Sequence, residues 1–278
     1  MKFLKPLLFP LLSVSLTLCL LAGCSPSVPP SASTPTSDTS ISSPPSQSEP
    51  PQPEQTTPSP PPEQSTPPPK PEHSELYIPG LSVEDVVLYF NEVCLDAEYV
   101  NSGDPSRLQK WVSPILFMLY GQYSNEDLAT LSAFTDWLNT IEGFPGISQT
   151  QDPNQATLSI HFCTQQDLLA IMGEQYSDLD GAVTFWYSDD EIYNAVICYR
   201  TDLDQFLRNS VILEELYNGL GPIQDTSLRP DSIIYADFSQ PQALTEIDQL
   251  LLKLLYHPQM QCGMGSDECE AVIRQLYY

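Results

Sequence analysis

A chain of 278 residues with 36 acidic against 10 basic side chains carries a net charge of -26. A surface that negative repels phosphate backbones, so nucleic acid is excluded as a partner, and anionic lipid headgroups are disfavoured. Its 28 prolines gather mainly in one segment, which divides the chain before any secondary structure is considered.

Residues 1–24 read as an export signal. Lys2 and Lys5 supply the positive start and Leu7 to Leu21 the apolar run, which is too short and too proline-interrupted for a good membrane-spanning helix. The run closes on Leu21-Ala22-Gly23-Cys24. This resembles a bacterial lipobox, in which the Cys becomes the lipid-modified first residue. The expectation is a lipid-anchored protein on the extracytoplasmic face of the cell membrane, held through Cys24, since two acyl chains anchor stably where one does not. Residues 25–75 are Pro, Ser, Thr, Gln and Glu with almost nothing apolar. Such a segment cannot bury enough surface to offset chain entropy, and its prolines favour an extended, semi-rigid spacer. At about 3.1 Å per residue it would reach on the order of 150 Å.

Residues 76–278 form the folding unit. Ser82 to Tyr99 has the spacing of an amphipathic helix, with Ser82 as cap and Asp85 in the first turn. Pro114 to Tyr120 is an apolar run of strand length. Ser124 to Ile141 returns to helical spacing through Leu128, Leu131, Phe134, Trp137 and Leu138, with Ser124 and Asp127 as cap and answering acid. Ala156 to Cys163 alternates as a strand, and Asp167 to Met172 makes a short helix. Ala182 to Tyr187 and Ile192 to Arg200 are strands joined as a hairpin through Ser188-Asp189-Asp190-Glu191. A helix follows from Asp202 to Leu220, capped by Thr201 with Asp204 and stopped by Gly221. After a loop to Ala243, Leu244 to Tyr256 is a Leu-rich helix, and a last helix starts near Ser266. Strands interleave with helices first and helices then take over. That order predicts an α+β fold: a mixed sheet covered by helices, with a helical C-terminal part.

Once Cys19 leaves with the signal and Cys24 is lipidated, Cys94, Cys163, Cys198, Cys262 and Cys269 remain. Cys262 and Cys269 flank a short loop and are the disulfide candidates for an oxidising compartment.

The chemistry-bearing segment is Glu214-Glu215-Leu216-Tyr217-Asn218-Gly219-Leu220-Gly221, followed by Asp225. Glu214 and Asn218 lie four apart on one helix face. The layout resembles HExxHxxGxxH/D, the zinc helix of the metzincin metallopeptidases, in which two His hold zinc and the intervening Glu is general base. Glu215 takes the base position and Gly221 the turn, while Glu214 and Asn218 stand where the His ligands belong. Asp231-Ser232-Ile233-Ile234-Tyr235 resembles the Met-turn of such enzymes, with Ile234 in place of Met. The resemblance implies a zincin-like fold whose catalytic motif is broken, with the hairpin placing Trp186, Tyr187 and Tyr193 at the cleft-edge strand.

A second resemblance is closer. EELYNGLGPIQD, RPDSIIYADF and LTEIDQLLLKLLYHPQMQCGM resemble, in order and spacing, a bacterial family described as domain of unknown function 2927. That resemblance implies a shared fold and agrees with lipoprotein character. It supplies no activity.

Glu214, Asn218 and Asp225 offer only oxygens, which suit Ca²⁺ or Mg²⁺ better than zinc. His73, His161 and His257 lie outside the motif. The expectation is no metal, no cofactor and no catalytic residue: Glu214, Glu215, Asn218, Gly221 and Asp225 are a remnant site in a non-catalytic domain that binds peptide or cell-envelope material. The competing reading is a metal-dependent hydrolase using Glu215 with oxygen ligands.

Overall fold

The computed structural model describes residues 74–95, 107–177, 179–221, 224–236 and 241–277. Residues 1–73, with the expected export signal, Cys24 and most of the expected spacer, lie outside the described residues.

Elements follow in the order α1 (Val83–Cys94), β1 (Lys110–Trp111), β2 (Ile115–Gly121), α2 (Asn125–Leu138), β3 (Ile147–Gln149), β4 (Leu158–Cys163), α3 (Gln165–Met172), β5 (Gly181–Ser188), β6 (Glu191–Arg200), α4 (Gln205–Asn218), α5 (Glu246–Leu255) and α6 (Ser266–Leu276). The expected mixed sheet with covering helices and a helical C-terminal part is present. Across the sheet the strands run β3-β2-β4-β6-β5, with β1 pairing the start of β6. All pairings are parallel except β5 with β6, which places an antiparallel strand on one edge.

Local chemistry explains most element starts. Ser82 with Asp85, Ser124 with Asp127 and Thr164 with Asp167 form reciprocal capping boxes, each satisfying two N-terminal amides. Helix α4 starts later than the sequence predicts. Asp204 is its N-cap, accepting from the Leu207 N–H at 3.1 Å, rather than the answering acid to Thr201. The hairpin turns through Asp189 (φ 53°) and Asp190 (φ 64°), both left-handed, as a two-residue turn matching strand twist requires. The register then slips. Trp186 faces Asn194 but Tyr187 faces Ile192, so Tyr193 is the extra residue of a β-bulge.

The two sheet faces differ. Ile115, Phe117, Leu158, Ile160, Phe162, Ala195, Ile197 and Tyr199 point into the main core, shared with α1, α2, α4, α5 and α6. Cys163, Cys198 and Ala182 point the other way, under Leu168 of α3 and Tyr176. Burying the core face at about 25 cal/mol per Å² is the main stabilisation. A buried ion pair adds direction: Arg208 Nε donates to Asp127 at 2.7 Å, joining the first turns of α2 and α4. Burial alone would lift the Asp127 carboxyl. The bonds from the Ser124 amide, Arg208 and Gln205 outweigh burial and hold it below its usual range.

The predicted Cys262–Cys269 disulfide is absent; both are free thiols. Cys269 points from α6 into the core, completely buried, while the Cys262 thiol turns to the Lys110 carbonyl at 3.8 Å. The register pairs Cys163 with Arg200 and Cys198 with His161, so Cys163 and Cys198 are diagonal neighbours on one sheet face, within reach of a shared hydrogen bond. Among the described residues no helix is long and apolar enough to cross a membrane.

Candidate functional site

The site grows from the last turns of α4. Val211, Ile212, Leu216 and Tyr217 bury its apolar face, and this pins the positions between them. Glu215 is only 2% exposed and Asn218 7%, while Glu214 is half-buried. Helix α4 lies close over the edge strand because residue 181 is glycine. A Cβ there would meet Val211 Cγ1 at 2.6 Å and Glu215 Cγ at 2.7 Å. The Glu215 carboxylate therefore sits against the start of β5. Below it, burial pushes the Tyr199 phenol well above its usual range, and the Glu215 charge adds to the effect.

The C-terminus of α4 is held by buried aromatic donors. Trp111 Nε1–H donates to the Gly219 carbonyl at 2.9 Å and the Tyr256 hydroxyl to the Leu220 carbonyl at 2.6 Å. These satisfy carbonyls that a helix end leaves unpaired. Gly221 then reverses the chain at φ +128°, where a Cβ would lie 2.6 Å from the Gln109 carbonyl oxygen. Only glycine fits on both counts. Gln224 and Asp225 follow the reversal, both half-buried.

The loop beyond is tied down on two sides. Glu92 of α1 accepts from the Thr226 hydroxyl and from the Ser227 amide and hydroxyl. Asp248 of α5, fully buried, accepts from the Ser232 hydroxyl at 2.7 Å, the Ile233 amide at 3.3 Å and the Thr245 amide at 2.9 Å. Tyr89 and Ser232 pair at 3.0 Å, and the Tyr217 hydroxyl donates to the Asp248 carbonyl at 3.1 Å. Ile234, at the Met-turn position, is core.

The structure thus gathers Glu214, Glu215 and Asn218 on adjoining turns, with Gly221 as the hinge and Asp225 beyond it. It adds Gln224, which the sequence reading left outside the site. The side-chain oxygens Asn218 Oδ1 and Gln224 Oε1 are buried and accept no hydrogen bond among the described residues. Such burial without donors is uncommon in a folded protein.

Does this arrangement fit the zinc of the metzincin motif? The donors are carboxylate and amide oxygens. His161 lies on the opposite sheet face, stacked on Tyr120 with centroids 4.6 Å apart. His257, beyond the end of α5, accepts from the Gln259 amide. Among the described residues no three His, Cys, Asp or Glu side chains group as metal ligands. A site without nitrogen or sulfur ligands does not fit zinc.

Two further features flank the site. Trp186, Tyr187 and the bulged Tyr193 are 37%, 46% and 55% exposed, so the hairpin tip presents three aromatic surfaces. At β1 an open depression of about 510 Å³ is lined by Lys110, Glu191, Tyr256 and Cys262. The buried Lys110 ammonium is already committed there, donating to the Leu255 carbonyl at 3.0 Å and the Met260 carbonyl at 2.5 Å. It closes the end of α5 rather than offering a binding group.

A mostly parallel sheet with one antiparallel edge strand, and a polar helix end beside that edge, define a mixed α/β domain. The sequence profile described as protein of unknown function (DUF2927) matches residues 84–275, and the chain belongs to that family. The three segments that carry the resemblance meet in space. The α4 end, the loop through Ser232 and helix α5 are joined by the bonds of Tyr217, Ser232 and Tyr256. No curated protein matches the chain.

Proposed function

We propose that this is an exported lipoprotein, anchored through Cys24 on the extracytoplasmic face of the membrane. Its zincin-like domain, held out by the Pro-rich spacer, binds extended peptide or peptide-bearing envelope material without cleaving it. One observation carries the reading. Strand β5 is antiparallel, pairs only with β6 among the described residues, and lies directly against α4 at Gly181. An edge strand of this kind accepts an extended chain by strand addition. Trp186 and Tyr187, both on this strand, offer amphipathic contacts, and the zincin resemblance puts the cleft on this same edge. The donor set at α4 argues against a zinc-bound water, so capture rather than hydrolysis follows.

The test is fluorescence-anisotropy titration of the full chain with labelled extended peptides, beside a Trp186→Ala variant. Saturable binding weakened about tenfold in the variant is expected, since a central aromatic contact is commonly worth more than 1 kcal/mol. Cleavage of the peptides, abolished by chelator, would replace this reading with a metal-dependent hydrolase. The anchoring is checked separately: Cys24→Ala abolishes acyl labelling and releases the protein from the membrane fraction, and a variant that still labels rejects the lipobox.

A further inference from the structure

The end of α4 carries buried oxygen acceptors on both sides of the Gly221 reversal. Asn218 is 7% exposed, and its Oδ1 receives no donor among the described residues. Gln224 Oε1, just past the reversal, is likewise buried without a donor. An orphaned buried acceptor costs about as much as the hydrogen bond it lacks, and two so near in sequence ask for one positively polarised partner. The protein itself is poorly placed to provide it. No Lys or Arg occurs between residues 209 and 228. The flanking basic residues are engaged elsewhere, Arg208 with Asp127 and Arg229 with Asp231. Acidic side chains are meanwhile close in the sequence: Glu215 lies on the turn before Asn218, Glu214 precedes it, and Asp225 follows Gln224, with Glu214 and Asp225 half-buried.

We propose that Asn218 Oδ1, Gln224 Oε1 and the Glu215 carboxylate hold a structural divalent cation of the hard, oxygen-seeking class, Ca²⁺ in particular. Amide and carboxylate oxygens suit Ca²⁺, which takes six to eight oxygens in adaptable geometry; Mg²⁺ demands a tight octahedron and keeps its waters. The absence of nitrogen and sulfur donors turns the site away from zinc. The cation would rigidify the α4 reversal next to β5. The inference stands on the acceptors and does not depend on peptide binding at the edge strand.

The experiment is thermal unfolding of the full chain after EDTA treatment and dialysis, titrated separately with CaCl2, MgCl2 and ZnCl2, with calorimetry for stoichiometry. One Ca²⁺ per chain is expected. At a hundredfold excess over Kd, Tm rises by about 5–10 °C. Asn218→Leu removes the orphaned acceptor, so it loses the Ca²⁺ response while its metal-free Tm stays equal or rises. Glu215→Gln and Gln224→Leu lose most of the response as well, and either serves if one variant fails to fold. Three results overturn the proposal: no rise with Ca²⁺; an equal rise with Mg²⁺ that all three variants retain, which is diffuse screening of an acidic surface; or a larger effect of Zn²⁺ than of Ca²⁺.

Discussion

Two buried polar clusters border the same loop and are built on opposite terms. At Asp248 both carboxylate oxygens receive donors, from Ser232 and Ile233 on the loop and from Thr245 at the start of its own helix. At Asn218 and Gln224 the amide oxygens receive none among the described residues. Burying a polar group is tolerable when its bonds are complete and costly when they are not. The first cluster therefore reads as architecture, joining loop to α5, and the second as a site. Both fall within family segments, so likeness of sequence alone does not separate the fold's fasteners from its function.

The largest way to break this comparison is Asp248→Ala. The Ile233 and Thr245 amides would lose their side-chain acceptor and the Ser232 hydroxyl one of its partners, at about 1–3 kcal/mol for each buried donor left unsatisfied. A total loss of about 2–5 kcal/mol in urea unfolding is expected. A loss under about 1 kcal/mol would show that the cluster relaxes, and would remove the contrast with Asn218.

Gly221→Ala comes next. A side chain there would be held at a left-handed φ and driven against the Gln109 carbonyl at 2.6 Å. Backbone strain of this kind costs about 1–3 kcal/mol, and the Ca²⁺ response should fall with it, because Gln224 follows the reversal. A variant as stable and as responsive as the wild type would detach the reversal from the site.

Much of the fold is legible in the sequence, and particular residues show where legibility stops. The capping boxes at Ser82 and Ser124 and the hairpin at Asp189-Asp190 are local, so spacing reveals them. Strands β1 and β3 are too short to carry an alternating pattern. By residue type Thr201 is as good a cap as Asp204, and only the geometry chooses Asp204. The Asp127–Arg208 pair spans 81 residues, and the meeting of Cys163 with Cys198 depends on strand register; neither leaves a local trace. At the candidate site, the helix spacing of Glu214, Glu215 and Asn218 could be read directly. That Asn218 is buried without a donor depends on how α4 packs in three dimensions, which leaves no local trace.

Acid titration sharpens the comparison at smaller magnitude, because two buried carboxyls respond in opposite senses. Asp127 is held below its usual range, so its contribution is present above the unfolded value of about 3.9 and is lost as pH falls through the lower folded value. Asp248 is raised, chiefly by burial and against the pull of its hydrogen bonds. Its contribution is complete below about pH 3.9 and declines as pH rises through the folded value. Stability measured from pH 3 to 7 for the wild type, Asp127→Asn and Asp248→Asn should show the first variant flattening the acid loss and the second steepening the rise of stability with pH. The same slope in all three would mean that neither carboxyl is shifted by the fold.

The smallest expected effect comes from rebuilding the metzincin pattern, with Glu214→His and Asn218→His in one chain. Two imidazoles four residues apart on a helix would present nitrogens on one face, with Glu215 still in the base position. The third ligand would still be missing, since the motif's third-ligand position falls on Gln224, a neutral amide, and Asp225 stands one residue past it; a catalytic zinc needs three protein ligands and an open position. Weak zinc binding by titration and no cleavage of a fluorogenic peptide are expected. The Ca²⁺ response should also be lost, because Asn218 Oδ1 is gone. Peptidase activity in the double variant would show that the oxygen donors beyond Gly221 can complete a zinc site. The polar end of α4 would then be a metallopeptidase centre two substitutions from function, rather than a site reshaped for a harder cation.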